Sequence, residues 1–163
     1  MIDALARTLT RELDTLMREI QLYPEDASLW VAVPGQPTAG GNLALHLAGN
    51  LQHFIGATLG DTGYVRDRDR EFASTGLSRE AVLQELRHAR ADVQATLKAL
   101  AASRLGETYP LEIQGIRLST EAVLLHLASH LAFHLGQVDY HRRAVTGDRA
   151  SAGPLALAPL EPR

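Results

Sequence analysis

Apolar residues recur at every third or fourth position along four long segments of this chain of 163 residues. This spacing places the apolar side chains on one face of an α-helix, and another element has to cover that face. Four helices of about twenty residues, joined by modest loops, bury such faces together as a bundle. We therefore predict an all-α protein that folds as a four-helix bundle.

Capping and helix-breaking residues predict where these helices begin and end. Asparagine, serine and threonine accept hydrogen bonds at a helix start, proline cannot continue a helix, and glycine is favoured just after its end. On these signals the first helix ends before Tyr23-Pro24-Glu25, the second runs from Asn42 to Gly60, the third starts at Ser78, and the fourth runs from near Thr120 to Gly147.

Two segments lie outside the predicted helices. Residues Thr108 to Leu118 alternate in polarity around Gln114-Gly115, which predicts a short hairpin-like segment before the last helix. The segment from residue 148 to residue 163 contains three prolines, and we expect it to be a flexible tail or one that becomes ordered on contact. We therefore expect residues 1–147 to form one helical domain and residues 148–163 a C-terminal tail.

The composition limits the classes of partner and of chemistry. The net charge is −3 and no basic stripe is present, so we expect no nucleic-acid or membrane partner. Cysteine is absent, which removes thiolate ligands and a cysteine nucleophile. Any thiol chemistry must therefore use a small-molecule thiol. The N-terminus does not resemble a signal peptide and no apolar run is long enough to span a bilayer, so we expect a cytoplasmic protein.

The most informative polar feature is a row of histidines on the fourth predicted helix. His126, His130 and His134 are one turn apart, and Gln137 and His141 follow. At about 100° per residue, all five side chains share roughly a quarter of the helix circumference, beside an apolar stripe. Imidazoles this close repel one another when charged and are costly when unpaired. A bound metal cation would resolve both problems.

A second group of polar residues lies beside the apolar stripe of the second predicted helix, where His46, Asn50 and His53 share a face. One ligand from this helix and a His-x-x-x-His pair from the fourth would supply three neutral nitrogens. Three protein ligands leave open positions, as a catalytic metal requires. The competing interpretation is polar packing, in which each ring meets a carbonyl group or water.

Several common sites are excluded by the sequence. The segment from His130 to His134 lacks the glutamate of a zincin protease, and no nucleophile elbow, P-loop or dinucleotide-binding fingerprint occurs. The alternating charges from Arg66 to Arg70 are typical of a solvated loop whose charges pair with one another. The alternative is that this run guides an anionic substrate.

Three motifs together resemble the DinB-like family. They are the segment from Gly41 to Asn50, the segment from Arg66 to Phe72, and His126-x-x-x-His130-x-x-x-His134-x-Gly136-Gln137. The resemblance spans residues 1 to about 147 and implies a four-helix bundle that holds a divalent metal such as Zn, Ni or Fe. Carried over by position, the metal ligands are His46, His130 and His134. The resemblance also implies a homodimer and, in some relatives, the use of thiols such as bacillithiol or mycothiol.

The remaining polar residues are candidates to orient a ligand ring or a bound water. They are Asn50, His53, His126, Gln137 and His141. Our leading hypothesis is a metal-dependent enzyme acting on a small-molecule substrate, either by transferring a low-molecular-weight thiol to an electrophile or by hydrolysis, with a metal-activated thiol or water. The first alternative is a non-catalytic metal- or ligand-binding bundle that acts in a stress response. The second is a structural dimer whose histidines are polar packing.

Overall fold

The computed structural model describes residues 1–161, and its regular structure is helical. The helices are α1 (Ile2–Gln21), α2 (Gly40–Leu51), α3 (Arg68–Ala73), α4 (Arg79–Ala99) and α5 (Thr120–Thr146). Helix α2 continues through a π-helical turn (Gln52–Ala57) and a final turn (Thr58–Gly60). The four long helices confirm the predicted bundle, and none of the described helices is long and apolar enough to cross a bilayer.

The arrangement of the long helices brings α2 and α5 side by side. Helices α1 and α2 each pack against both α4 and α5, whereas α1 and α2 barely meet. Leucines of the predicted stripes fill the space between them, and Leu9, Leu13, Leu47, Leu86 and Leu131 are completely buried. This packing places the polar edge of α2 against the histidine row of α5.

The predicted caps are confirmed in α4 and α5, but not in α2. The Ser78 hydroxyl accepts a hydrogen bond from the Ala81 backbone N–H at 3.2 Å, and Gly147 ends α5 with a φ of 69°. The prediction that α2 begins at Asn42 was wrong, because the helix begins two residues earlier, at Gly40. The Asn42 side chain instead donates hydrogen bonds to the carbonyl groups of residues 71, 72 and 74, at 2.8–3.2 Å. It thereby fixes α3 and the residue that follows it to α2.

The hairpin-like segment is present as two antiparallel bridges, Thr108 with Ser119 and Ile113 with Ile116. Gln114 and Gly115 form its turn with φ values of 54° and 77°, as a two-residue turn requires. One end of this segment, including Ile113 and Gln114, reaches the same cavity as the histidines of α5.

Basic side chains of α1 and α5 contact the described part of the C-terminal tail. Arg142, which is completely buried, donates to the Ala150 carbonyl at 2.6 Å and to the Glu19 carboxylate at 2.5 Å. Arg18 donates to the Ala152 carbonyl at 2.8 Å. The expected flexibility of this tail stays a prediction, and residues 162 and 163 lie outside the described residues.

Candidate metal centre

Three imidazole rings converge where α2 meets α5. His46 comes from α2, and His130 and His134 come from successive turns of α5. Each offers one nitrogen, and these nitrogens all lie within 4.8 Å of one another. The ring centroids are 5.2 Å apart for His46 and His130, 5.4 Å for His46 and His134, and 4.5 Å for His130 and His134. We call these three residues the histidine triad.

Hydrogen bonds on the outer side of two rings orient them for ligation. His46 Nδ1 lies 2.9 Å from Glu71 Oε2, and His134 Nδ1 lies 2.6 Å from Gln137 Oε1. Because both oxygens can only accept, each Nδ1 carries the proton and each Nε2 keeps a free lone pair.

One pair of triad nitrogens lies at a separation that a shared metal ion would give. His46 Nε2 and His130 Nε2 are 3.3 Å apart. Two nitrogens that bind one tetrahedral ion at about 2.1 Å are about 3.4 Å from each other. Imidazole nitrogens suit Zn, Ni and Fe alike. The residues therefore fit a divalent metal ion of this group.

A buried ion pair lies directly behind His46. Glu71 is 5 % exposed and accepts two hydrogen bonds from Arg66, at 2.7 and 2.8 Å. Burial alone would raise the pKa of Glu71, but the hydrogen bonds from His46 and Arg66 outweigh burial and lower that pKa. The anion therefore persists at neutral pH and can polarise the His46 ring, an arrangement that strengthens a metal-binding imidazole.

Gly49 provides the space that Glu71 occupies. A methyl group at this position would overlap Glu71 Oε1 and lie 3.0 Å from Glu71 Cδ. The glycine is one turn of α2 beyond His46, so it opens the helix surface just where the carboxylate approaches. The contact between Glu71 and His46 therefore depends on a residue that itself carries no chemistry.

The two triad histidines of α5 are held neutral. Burial, together with the neighbouring histidines, lowers the pKa of His130 to about 4. Burial also lowers the pKa of His134, against the opposing effect of its bond to Gln137. His130 Nδ1 is buried without a hydrogen-bond partner among the described residues. Neutral rings keep the lone pairs that a metal needs.

A cavity of about 840 Å³ opens onto the triad. Three of the other predicted polar residues, Asn50, His126 and Gln137, also line it. Asn50 is 7 % exposed, and its Oδ1 has no hydrogen-bond partner among the described residues. His126 is exposed, and its ring lies 6.1 Å from that of His130. These residues therefore add polar groups to the cavity wall beside the triad.

His53 and His141 do not join this group. His53 packs edge to face on Phe54 at 4.8 Å, in the π-helical turn beyond the regular part of α2. His141 is completely buried, with Nδ1 2.8 Å from the Tyr23 hydroxyl and Nε2 donating to the Val31 carbonyl at 2.9 Å. Both are seven residues from the nearest triad member, about 10 Å along a helix axis.

The sequence did not predict the contacts that Glu71, Arg66 and Phe72 make with His46. The interpretation of residues 66–70 as a solvated loop was wrong for Arg66, whose side chain is 13 % exposed. The Phe72 ring lies 4.9 Å from the His46 ring. One signal was present in the sequence: Asn42, Gly49 and this run fall in two of the three motifs that carry the family resemblance.

The fold and the triad together define a helical bundle with a three-histidine candidate metal site between two of its helices. The family model described as the DinB superfamily matches residues 5–138, and the chain belongs to that superfamily. The similarity predicted from the three motifs is thus confirmed. No curated protein and no solved structure matches the chain significantly.

Proposed function

We propose that this protein is a divalent-metal-dependent enzyme acting on a small molecule, by transfer of a low-molecular-weight thiol to an electrophile or by hydrolysis. The observation that carries the proposal is the convergence of three histidine nitrogens on the wall of a large cavity. Three protein ligands leave positions for a substrate, whereas a structural site is closed by a fourth.

A metal ion at this site would supply Lewis-acid chemistry, by polarising a carbonyl group or by favouring deprotonation of a thiol or water. His46, His130 and His134 would hold the ion. The chain has no cysteine, so a thiol nucleophile has to come from outside the protein.

The surrounding side chains support this function through their own contacts. Glu71 keeps His46 in the tautomer with a free Nε2, and Gln137 does the same for His134. Asn50 presents an amide group to the cavity, where it can hydrogen-bond to a substrate. His126 is the one cavity-lining histidine outside the triad among the described residues, and it can accept a proton from the nucleophile.

Elemental analysis of protein purified without an affinity tag tests the metal site. We expect near-stoichiometric metal in the wild type and its loss in His130→Ala, because a two-histidine remnant binds far more weakly. His88→Ala is the matched control. His88 is exposed on α4, where its ring contacts Gln84, and its loss should leave the metal content unchanged.

The outcomes separate the proposal from its alternatives. Absence of metal in the wild type, with no uptake of added zinc or nickel, would contradict the metal site and favour polar packing. Bound metal without turnover of any thiol and electrophile pair, or of any hydrolysable substrate, would favour a non-catalytic binding protein. Circular dichroism of His130→Ala must show a folded bundle for either comparison to count.

A further inference from the structure

Arg68 is an exposed cationic side chain of the cavity wall that has no acidic partner in the described part of the chain. Within residues 1–161 it forms no ion pair and donates no side-chain hydrogen bond, whereas Arg66 is bound to Glu71. Its guanidinium carbon lies 4.9 Å from the centre of the Phe72 ring. The aromatic contact orients the guanidinium group while its N–H donors stay free for a ligand.

The position of Arg68 allows one small molecule to reach both the arginine and the triad. The Phe72 ring, which Arg68 covers, lies 4.9 Å from the His46 ring. The guanidinium carbon is therefore less than about 10 Å from the centre of the His46 ring. Both groups line the same cavity.

The charges around the cavity favour an anion. The charge of Arg66 is balanced by Glu71, and Glu112, which also lines the cavity, accepts a hydrogen bond from Arg117 at 2.7 Å. With a divalent cation bound to neutral histidines, the charge of Arg68 would add to that of the metal. Apolar side chains such as Leu43, Phe54, Ile113 and Leu127 form much of the remaining wall.

Asn50 is an independent indication that a polar ligand group belongs beside the triad. It is more than nine-tenths buried and lines the cavity, yet its Oδ1 has no partner among the described residues. A buried amide oxygen without a partner costs free energy that a donor on the ligand would recover. The cavity therefore combines a polar group near the triad, Asn50, with apolar walls and one cationic side chain, Arg68.

We propose that the cavity binds a small carboxylate-bearing molecule, with its carboxylate on Arg68 and its reacting group at the triad. This inference rests on the proposed function. A guanidinium group can present a planar pair of N–H donors, and this pair matches the two oxygens of a carboxylate. Arg68 thereby determines which substrates are accepted. Of the charged residues from Arg66 to Arg70, it is the one that we expect to guide an anionic substrate.

Calorimetric titration of the metal-loaded protein with two matched probes tests the proposal. The probes are 3-mercaptopropionate and its neutral amide, which share the thiol and differ in the carboxylate. We expect the wild type to bind the carboxylate roughly tenfold more tightly, as a charge-assisted hydrogen bond allows. Arg68→Gln should lose most of this preference and retain its affinity for the amide.

Arg70→Gln is the matched control, since Arg70 lies on the same short helix but does not line the cavity. It should keep the full preference. An equal preference in Arg68→Gln and wild type, or no preference in the wild type, would overturn the inference while leaving the metal site intact. A protein that takes up no metal fails the proposed function itself, and elemental analysis before the titration distinguishes that case.

Discussion

A buried carboxylate is costly unless it is paired, and Glu71 has two partners, Arg66 and His46. The contact with Glu71 also keeps the proton of His46 on Nδ1, so the Nε2 atom that faces His130 has a free lone pair. Loss of the charge would remove the anion that polarises His46 and would leave the buried Arg66 without its charged partner.

Glu71→Gln should therefore weaken metal binding by about 10- to 100-fold, the usual cost of losing such a partner. Competition with a chromophoric chelator measures the affinity. Glu80→Gln on α4 is the control, because Glu80 is exposed and pairs only with Arg87. An unchanged affinity in Glu71→Gln would mean that the carboxylate only balances the charge of Arg66.

At the scale of elements, the site depends on how closely α3 and the loop before it approach α2. Gly49→Ala should displace the Glu71 carboxylate and weaken metal binding, although it alters no polar group. The matched control is Gly136→Ala on α5, where an added methyl group meets nothing within 4 Å. That variant should bind metal normally and gain up to about 1 kcal/mol of stability from helix propensity.

Chelator competition and urea unfolding of the two glycine variants, measured side by side, give the comparison. Normal metal affinity in Gly49→Ala would show that Glu71 can move without loss of the site. Weak binding in both variants would point to a general effect of alanine on helix packing instead.

The helical periodicity of the sequence predicted the elements well, and it placed two histidines of α2 and the histidine row of α5 at polar edges beside apolar stripes. The choice of His46, His130 and His134 among these histidines came from the family resemblance. The same angles grouped His141 with them, since an angular position contains no information about distance along the axis. Glu71 was missed because its contact joins residues 25 positions apart and depends on the missing side chain of Gly49.

For the whole molecule, burial couples the histidines to stability. Burial lowers the pKa of four of them below the ordinary value of 6.5, namely His53, His130, His134 and His141. Below that value the unfolded chain binds more protons than the folded one. The stability of the metal-free protein is therefore greatest above about pH 6.5 and falls as the pH decreases through the lowered pKa values.

Urea unfolding of metal-free protein between about pH 7 and pH 5 should show this loss as a falling midpoint. Saturating metal should raise the midpoint most at the upper end of this range, because protons compete for the ligand nitrogens. His88→Gln removes an exposed histidine and should keep the same pH dependence. A midpoint independent of pH would contradict the neutral state assigned to the buried rings.

The homodimer that the family resemblance implies stays a prediction.

The hydrogen bonds of His141 have a further consequence for the cavity. Helix α5 carries two triad members and, two turns later, the ring that holds the Val31 carbonyl. Val31 begins the loop whose residues 35–38 form part of the cavity wall. Helix α5 thus positions both two members of the triad and the start of the loop that lines the cavity. We propose that the distance between the triad and this loop limits the size of the molecules that the cavity can hold.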